Sequence, residues 1–314
     1  MRFRQLGKTG LRVSELALGT WGLSGDAYGS VEPRDQESVI ARSLDLGISL
    51  VDTADAYGAG HMELLLGRVL SDRRDVVVVS KGGTDRSTHP PRKRFEPEYL
   101  RASIERSLKR LARDRIDVFL LHNPGLATLS RGDACSELIE QKRAGKIGHW
   151  GVSVGDVDVG RAALHAGAEV IELAYNLIRP SDLHRLSGEL MVRGAGVLAR
   201  STLAHGLLAG DWPKTHEFQS GDHRAARWAP FDLRVRLEQL QSLRFLVHGD
   251  VRTMRAASVR FVLSNALVSS AVLGPRTVAQ LEELVREVGM GPLYLGDEDL
   301  MRIPRALQAI GIDP

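Results

Sequence analysis

The sequence predicts a (β/α)8 TIM barrel with an N-terminal β-hairpin and a C-terminal helical tail, read as one domain over residues 1–314. Three observations predict it. Eight short apolar runs alternate with amphipathic helical stretches, the pattern of strand–helix units wound on a parallel sheet. Three consecutive runs each end on one ionisable residue: 50–51 on Asp52, 76–80 on Lys81 and 116–121 on His122. Strands joined by right-handed crossovers lie side by side, so these residues, with Tyr57 one short loop beyond Asp52, converge at one rim. The rival fold is a doubly wound sheet. It requires a Gly-x-Gly-x-x-Gly after an early strand, and the glycines at 19, 22 and 25 have the wrong spacing.

In chain order, residues 2–14 read as a hairpin. Phe3 and Leu6 precede the turn-forming Gly7-Lys8-Thr9-Gly10, and Leu11-Arg12-Val13 returns. Leu16-Ala17-Leu18 is the first barrel strand and runs into Gly19-Thr20-Trp21-Gly22. A helix over 33–46 follows, with Val39, Ile40, Ser43 and Leu44 at helical spacing and Gly47 as its stop. Residues 49–53 form the second strand, and Met62, Leu65, Leu66 and Val69 mark the second helix. The third strand leads into a polar loop over 82–94. Pro97 suits a helix start, and Leu100, Ile104, Leu108 and Leu111 share one face.

After the fourth strand come a helix over 131–144 and a fifth strand over 149–153. A helix around Ala162, Ala163 and Leu164 closes at Gly167. The sixth strand covers 169–175, a helix carries Leu183, Leu186 and Leu190, and the seventh strand covers 196–201. The regular spacing then breaks over 204–232, which is rich in Gly, Pro, His and Trp. So long an irregular stretch in a compact domain predicts a lid. Helices near 233–246 and 251–264 lead to the eighth strand at 269–273. Thr277 with Gln280 predicts a capping box on the next helix. The tail carries Leu300, Ile303, Leu307 and Ile310, and Pro304 should break or kink it.

Composition narrows the function classes. The formal net charge is +3, from 42 Lys and Arg against 39 Asp and Glu, so no basic face requires nucleic acid. The single cysteine, Cys135, excludes an intrachain disulfide and fits a reducing compartment. The start does not read as a signal peptide, and no run reaches the roughly 18 apolar residues of a membrane helix. The expectation is a cytoplasmic protein with neither a nucleic-acid nor a membrane partner; the sequence does not give an oligomeric state. No metal is expected, because His184, His205, His216 and His223 fall on different elements and loops at no ligand spacing.

The rim residues define a chemistry. A buried Lys81 beside Asp52 is an ion pair, and its positive charge favours a tyrosinate. Tyr57 should therefore be drawn down from its ordinary value of about 10. A tyrosine so tuned gives a proton to a developing alkoxide, and His122 can donate to the same oxygen or pass a proton to Tyr57. No side chain is a hydride source, so a hydride step needs a cofactor. Two other classes stay open. One is a nucleotide-holding regulatory or sensor subunit with little turnover; the other is a lyase or aldolase in which Lys81 forms a Schiff base.

Asp52-x-x-x-x-Tyr57-Gly58 with Lys81 and His122 resembles the tetrad of the aldo-keto reductases. Further blocks are similar to that family's, in its order: Leu6-Gly7-Lys8-Thr9-Gly10-Leu11, Leu18-Gly19-Thr20-Trp21, Gly145-Lys146-Ile147-Gly148, Gly151-Val152-Ser153, Tyr175-Asn176, Gly206-Leu207-Leu208, and Gly274-x-Arg276 with Gln280 and Glu283. They are most similar to the bacterial branch that also resembles potassium-channel β subunits. The resemblance implies NADPH across the barrel mouth, a small-molecule carbonyl substrate, and reduction of an aldehyde or ketone to an alcohol. The hydride would come from the nicotinamide and the proton from Tyr57.

By the same resemblance, Asp52, Tyr57, Lys81 and His122 are the catalytic set. Gly19, Thr20, Trp21 and Asp52 would line the nicotinamide end, Ser153 and Glu172 would hold the carboxamide, and Arg200 would stack on the ring. Ser201 and Leu203 would line the pyrophosphate; Gly274, Arg276, Gln280 and Glu283 would hold the adenosine phosphate end. Arg276, at a helix N-terminus, is the expected reader of a 2′-phosphate. The substrate pocket would be built from Trp21, Tyr28, Tyr57, His122 and Trp228, with Trp212 and Phe218 nearby. The chain also departs from the family pattern. Glu172 stands where glutamine is usual, Val154 and Leu284 where asparagine is, Thr202 where proline is, and Arg200 where some relatives place an aromatic.

Overall fold

The computed structural model describes residues 1–210, 212–213, 215–219, 221–288 and 294–314. The chain opens with an antiparallel hairpin, β1 (Phe3–Gln5) and β2 (Arg12–Ser14). Strand–helix units follow: β3 (Leu16–Gly19), α1 (Pro33–Asp45), β4 (Leu50–Asp52), α2 (His61–Val69) and β5 (Val77–Gly82). A small hairpin, β6 (Thr84–Asp85) with β7 (Arg92–Lys93), stands beyond β5, before α3 (Pro97–Leu111) and β8 (Ile116–His122). Next come α4 (Leu126–Arg131), α5 (Asp133–Arg143), β9 (Ile147–Ser153), α6 (Val157–His165), β10 (Val170–Ala174), α7 (Ser181–Arg193) and β11 (Gly196–Arg200). The chain continues through α8 (His223–Arg227), α9 (Pro230–Gln241) and α10 (Met254–Ser264) to β12 (Val268–Leu273), α11 (Val278–Glu287) and α12 (Asp297–Ala309). Strands β3, β4, β5, β8, β9, β10, β11 and β12 are all parallel and close into the barrel that the sequence predicts. Among the described residues no helix is long and apolar enough to cross a membrane.

Alternation along the strands divides the apolar residues between two layers. Val77 and Val79 of β5, Val118 and Leu120 of β8, Val170 and Leu198 point into the barrel. Val78, Phe119 and Leu121 face outward and meet helix residues such as Leu100, Ile104 and Leu108 of α3. The first hairpin closes the N-terminal end of the barrel, where Leu6 and Val13 join the interior cluster with no exposure. Gly7 makes that fit possible. It has φ +56, and a Cβ there would lie 2.3 Å from the Gly196 nitrogen.

Several element bounds differ from expectation. The helix expected over 131–144 is two helices, α4 and α5, because Gly132 adopts φ +79 between them. The stretch 204–232 is more regular than its composition predicts. It holds a 3-10 turn over Ala204–Ala209, then α8, then the start of α9, where Pro230 occupies the first turn; Asp211, Lys214 and Ser220 lie outside the described residues. The helix expected over 233–246 therefore begins earlier and ends at Gln241, with a separate turn over Arg244–Leu246. Pro304 does not end α12. The helix gives up one backbone bond there and is held by the buried Ile303 and Leu307. The capping box is half formed: Thr277 Oγ1 accepts from the Gln280 N–H at 3.2 Å, but Gln280 Oε1 accepts from the Arg276 N–H instead of from Thr277.

Candidate active site

Because β4, β5 and β8 are neighbours, their C-terminal ends bring Asp52, Lys81 and His122 to one side of the barrel mouth. Tyr57 opens a 3-10 turn over Tyr57–Gly60, fixed by its N–H on the Ala54 carbonyl and by positive φ at Gly58 and Ala59. Lys81 is 1% exposed. Its Nζ donates to Asp52 Oδ1 at 2.7 Å, to Asp52 Oδ2 at 2.6 Å and to the Thr53 carbonyl at 3.0 Å. The same Nζ is 5.3 Å from the Tyr57 ring centroid and 3.6 Å from Glu172 Oε2. The His122 ring meets Tyr57 edge to face, centroids 5.9 Å apart. Thr20 ties β3 to this centre, its N–H and its hydroxyl both donating to the Asp52 carbonyl.

Burial sets the protonation states. It pushes the Asp52 carboxyl up to about 7; Glu172 adds to the rise, and Lys81 opposes it. Burial disfavours the Lys81 charge, but the two carboxylates outweigh it and hold the ammonium well above its ordinary range. Tyr57 corrects the expectation from sequence. Burial, reinforced by Asp52 and Glu172, outweighs Lys81, so the phenol is held above its usual value and not below it. His122 is pushed well below its ordinary value by burial and by Lys81, Lys93 and Arg200. At neutral pH the site thus holds a protonated phenol beside a neutral imidazole.

The other expected residues ring the same mouth. Ser153 at the end of β9 is buried and pairs in register with Glu172 of β10. Arg200 ends β11 and donates from Nη2 to the Val154 carbonyl at 2.9 Å, with Nη1 3.4 Å from Ser201 Oγ. Ser201 has φ +55, and its carbonyl accepts from Asn176 Nδ2. Leu203 precedes the 3-10 turn beyond β11. Gly19 and Gly22 lie against the end of β12: a Cβ on Gly19 would be 2.8 Å from Val272 Cγ1, and one on Gly22 would be 3.2 Å from the Gly274 carbonyl. Arg276 donates from Nη2 to the carbonyls of Gly29 and Ser30 at 3.0 and 2.9 Å. Gln280 and Glu283 stand further out on α11, engaged with the Arg276 N–H and with Arg255. Four buried side-chain atoms of this ring lack a hydrogen-bond partner: His122 Nδ1, Glu172 Oε2, Arg200 Nε and Arg276 Nε.

An aromatic wall faces the tetrad. Trp21 lies 5.3 Å from Tyr28 and 6.5 Å from Tyr57 between ring centroids, and Tyr28 Oη is 3.0 Å from His205 Nδ1. Trp228 packs on Trp212 and His205. Three residues here escaped sequence reasoning. His205 and His223 come within 5.1 Å of each other against Trp21. Lys93 of β7 donates to the His122 carbonyl at 2.6 Å. The Gly206-Leu207-Leu208 block could have pointed to the adjacent His205; nothing in the sequence marks His223 or Lys93. Among the described residues no group of three or more His, Cys, Asp or Glu is arranged to hold a metal.

A sequence model of the aldo/keto reductase family matches residues 15–298. The chain belongs to this family. The Bacillus subtilis aldo-keto reductase YhdN is 26% identical over 326 residues, covering 100% of this chain and 96% of the relative. A probable voltage-gated potassium channel β subunit of Arabidopsis thaliana is 26% identical over 332 residues, covering 93% of each. Among solved structures, the glycerol dehydrogenase of Gluconobacter oxydans superposes with a TM-score of 0.85 at 26% identity, covering 99% of this chain and 97% of that one. As an aldo/keto reductase the chain is an NAD(P)H-dependent oxidoreductase of small carbonyl compounds. The mouth suits a nicotinamide nucleotide. Its partnerless buried atoms include an acceptor for an amide, Glu172 Oε2, and two guanidinium N–H donors, those of Arg200 and Arg276.

Proposed function

We propose that this aldo/keto reductase uses NADPH to reduce an aldehyde or ketone to an alcohol, and that Tyr57 supplies the proton. We further propose that the whole chain acts as one catalytic domain in the cytoplasm. The observation that carries the reading is the fixed Lys81 ammonium 5.3 Å from the Tyr57 ring, with His122 against the same ring. The bound nicotinamide supplies the hydride. Tyr57, protonated throughout the neutral range, gives its proton to the oxygen as negative charge develops there. Lys81 stabilises the phenolate left behind, and Asp52 holds Lys81 in place. Neutral His122 orients the carbonyl oxygen through a ring N–H.

Ser153 and Glu172 would hold the carboxamide, with Gly19, Thr20, Trp21 and Arg200 around the ring. Ser201 and Leu203 would meet the pyrophosphate. Arg276, flanked by Gly274, Gln280 and Glu283, would read the 2′-phosphate through the N–H groups that Gly29 and Ser30 leave free. Trp21, Tyr28 and Trp228 supply an apolar wall for the substrate carbon skeleton.

The test is NADPH consumption across a panel of aldehydes and ketones by the protein and by Tyr57→Phe. Losing a general acid should lower turnover by roughly a hundredfold or more while NADPH still binds. Near-normal turnover in the variant would remove Tyr57 from the role.

A further inference from the structure

Glu172 places a buried carboxylate at the mouth with one oxygen that no hydrogen bond engages. It lies within β10, 1% exposed, and its Oε2 has no hydrogen-bond partner. The nearest cation is Lys81, 3.6 Å away, whose N–H groups are already taken by Asp52 and the Thr53 carbonyl. Lys81 is thus held without Glu172. Asp52, Glu172 and Lys81 together form a buried cluster of two acids and one base. The groups packed around it are Ser153 on β9, Tyr57 and His122 across the mouth, and Arg200 at the end of β11. Of these only Arg200 carries a fixed charge, and its guanidinium is directed to the Val154 carbonyl and to Ser201.

The two redox forms of a nicotinamide nucleotide differ at one place. The ring is positive when oxidised and neutral when reduced, whereas the phosphates and the adenine are the same in both. In a ratio of the two affinities every contact to phosphate or adenine cancels, and the charge around the ring remains. A charge buried in a low-dielectric mouth acts strongly over a few ångströms. We propose that Glu172 is an electrostatic partner of the oxidised nicotinamide ring: its carboxylate favours the oxidised form and stabilises the positive charge that develops as hydride departs. The proposal rests on the nucleotide site of the preceding section.

The experiment measures Kd for NADP+ and for NADPH by quenching of tryptophan fluorescence, on the full chain and on Glu172→Gln. The substitution removes one charge with almost no change of shape, whatever Arg200 contributes. The ratio of the NADP+ to the NADPH dissociation constant should rise by roughly tenfold or more in the variant. A ratio within about twofold of the native one, with both nucleotides still bound, would overturn the proposal. Glu172→Met, which also removes the charge, gives the same measurement where Glu172→Gln does not fold, and an unchanged ratio there overturns the proposal equally. Failure of the native protein to bind either nucleotide would remove the nucleotide site and this inference together. Binding of both without redox discrimination by Glu172 would remove only the inference.

Discussion

Lys81 and the acids around it show what single residues reveal and conceal. The convergence of Asp52, Tyr57, Lys81 and His122 was legible because each ends an apolar run or follows one at a short distance. Ionisation was not legible, because it depends on burial that no spacing encodes; Tyr57 is therefore held above its usual value where sequence pointed below. Removing Lys81 tests the cluster. Lys81→Met leaves Asp52 and Glu172 as buried acids without their cation and should cost about 3–5 kcal/mol in urea unfolding. Adding Asp52→Asn should recover part of that stability but none of the activity. A second acid nearby gives a pH prediction. Burial, as the leading cause, pushes Asp55 up to about 7, and Ser103 opposes it with a hydrogen bond. Its unfolded value is about 3.9, so between those values the folded state binds the extra proton. Stability from Asp55 is thus fully present in acid, falls as pH rises toward 7, and is level above it. Asp55→Asn should flatten that fall, and denaturant melts of the variant and the native protein at pH values on either side of the window compare the slopes.

At the scale of elements, periodicity carried the strands and most helices, and it failed where a glycine or a proline sets a boundary that periodicity cannot see. Gly132 splits α4 from α5, and Pro230 starts α9 inside a stretch whose composition reads as irregular. The first hairpin was legible as a hairpin. Its role as a plug was not, because Leu6 and Val13 meet the barrel interior only after eight strands have closed around it. The plug sits at the opposite end from the tetrad, so stability and chemistry should separate there. Leu6→Ala should cost about 2–5 kcal/mol by opening a cavity in the interior cluster. Turnover per folded molecule should stay within the native range. A loss of turnover at full folding would mean that the plug shapes the mouth from across the barrel.

For the whole molecule, the rule that parallel crossovers keep one hand was enough to place three strand ends together, and the closed barrel follows it. The closure of the mouth by loops lay beyond that rule. The segment around Tyr28 reaches the stretch beyond β11 through His205 and through the Ala27 carbonyl, which accepts from the His223 N–H, and it reaches the far rim through Arg276. These contacts join β3, β11 and β12 across the opening, so a nucleotide held there binds the assembled barrel and not the unfolded chain. Saturation at a hundred times Kd should then raise the unfolding free energy by about 2.7 kcal/mol. Thermal melts with and without NADPH measure the corresponding rise in Tm. The same free-energy increment should appear in Leu6→Ala, since plug and mouth share no side chains and distant effects add. A Tm unmoved by saturating nucleotide in both proteins would mean that the nucleotide does not bind the folded chain in preference to the unfolded one. An increment present in the native chain but absent from the plug variant would mean that the two ends of the barrel are coupled through its interior.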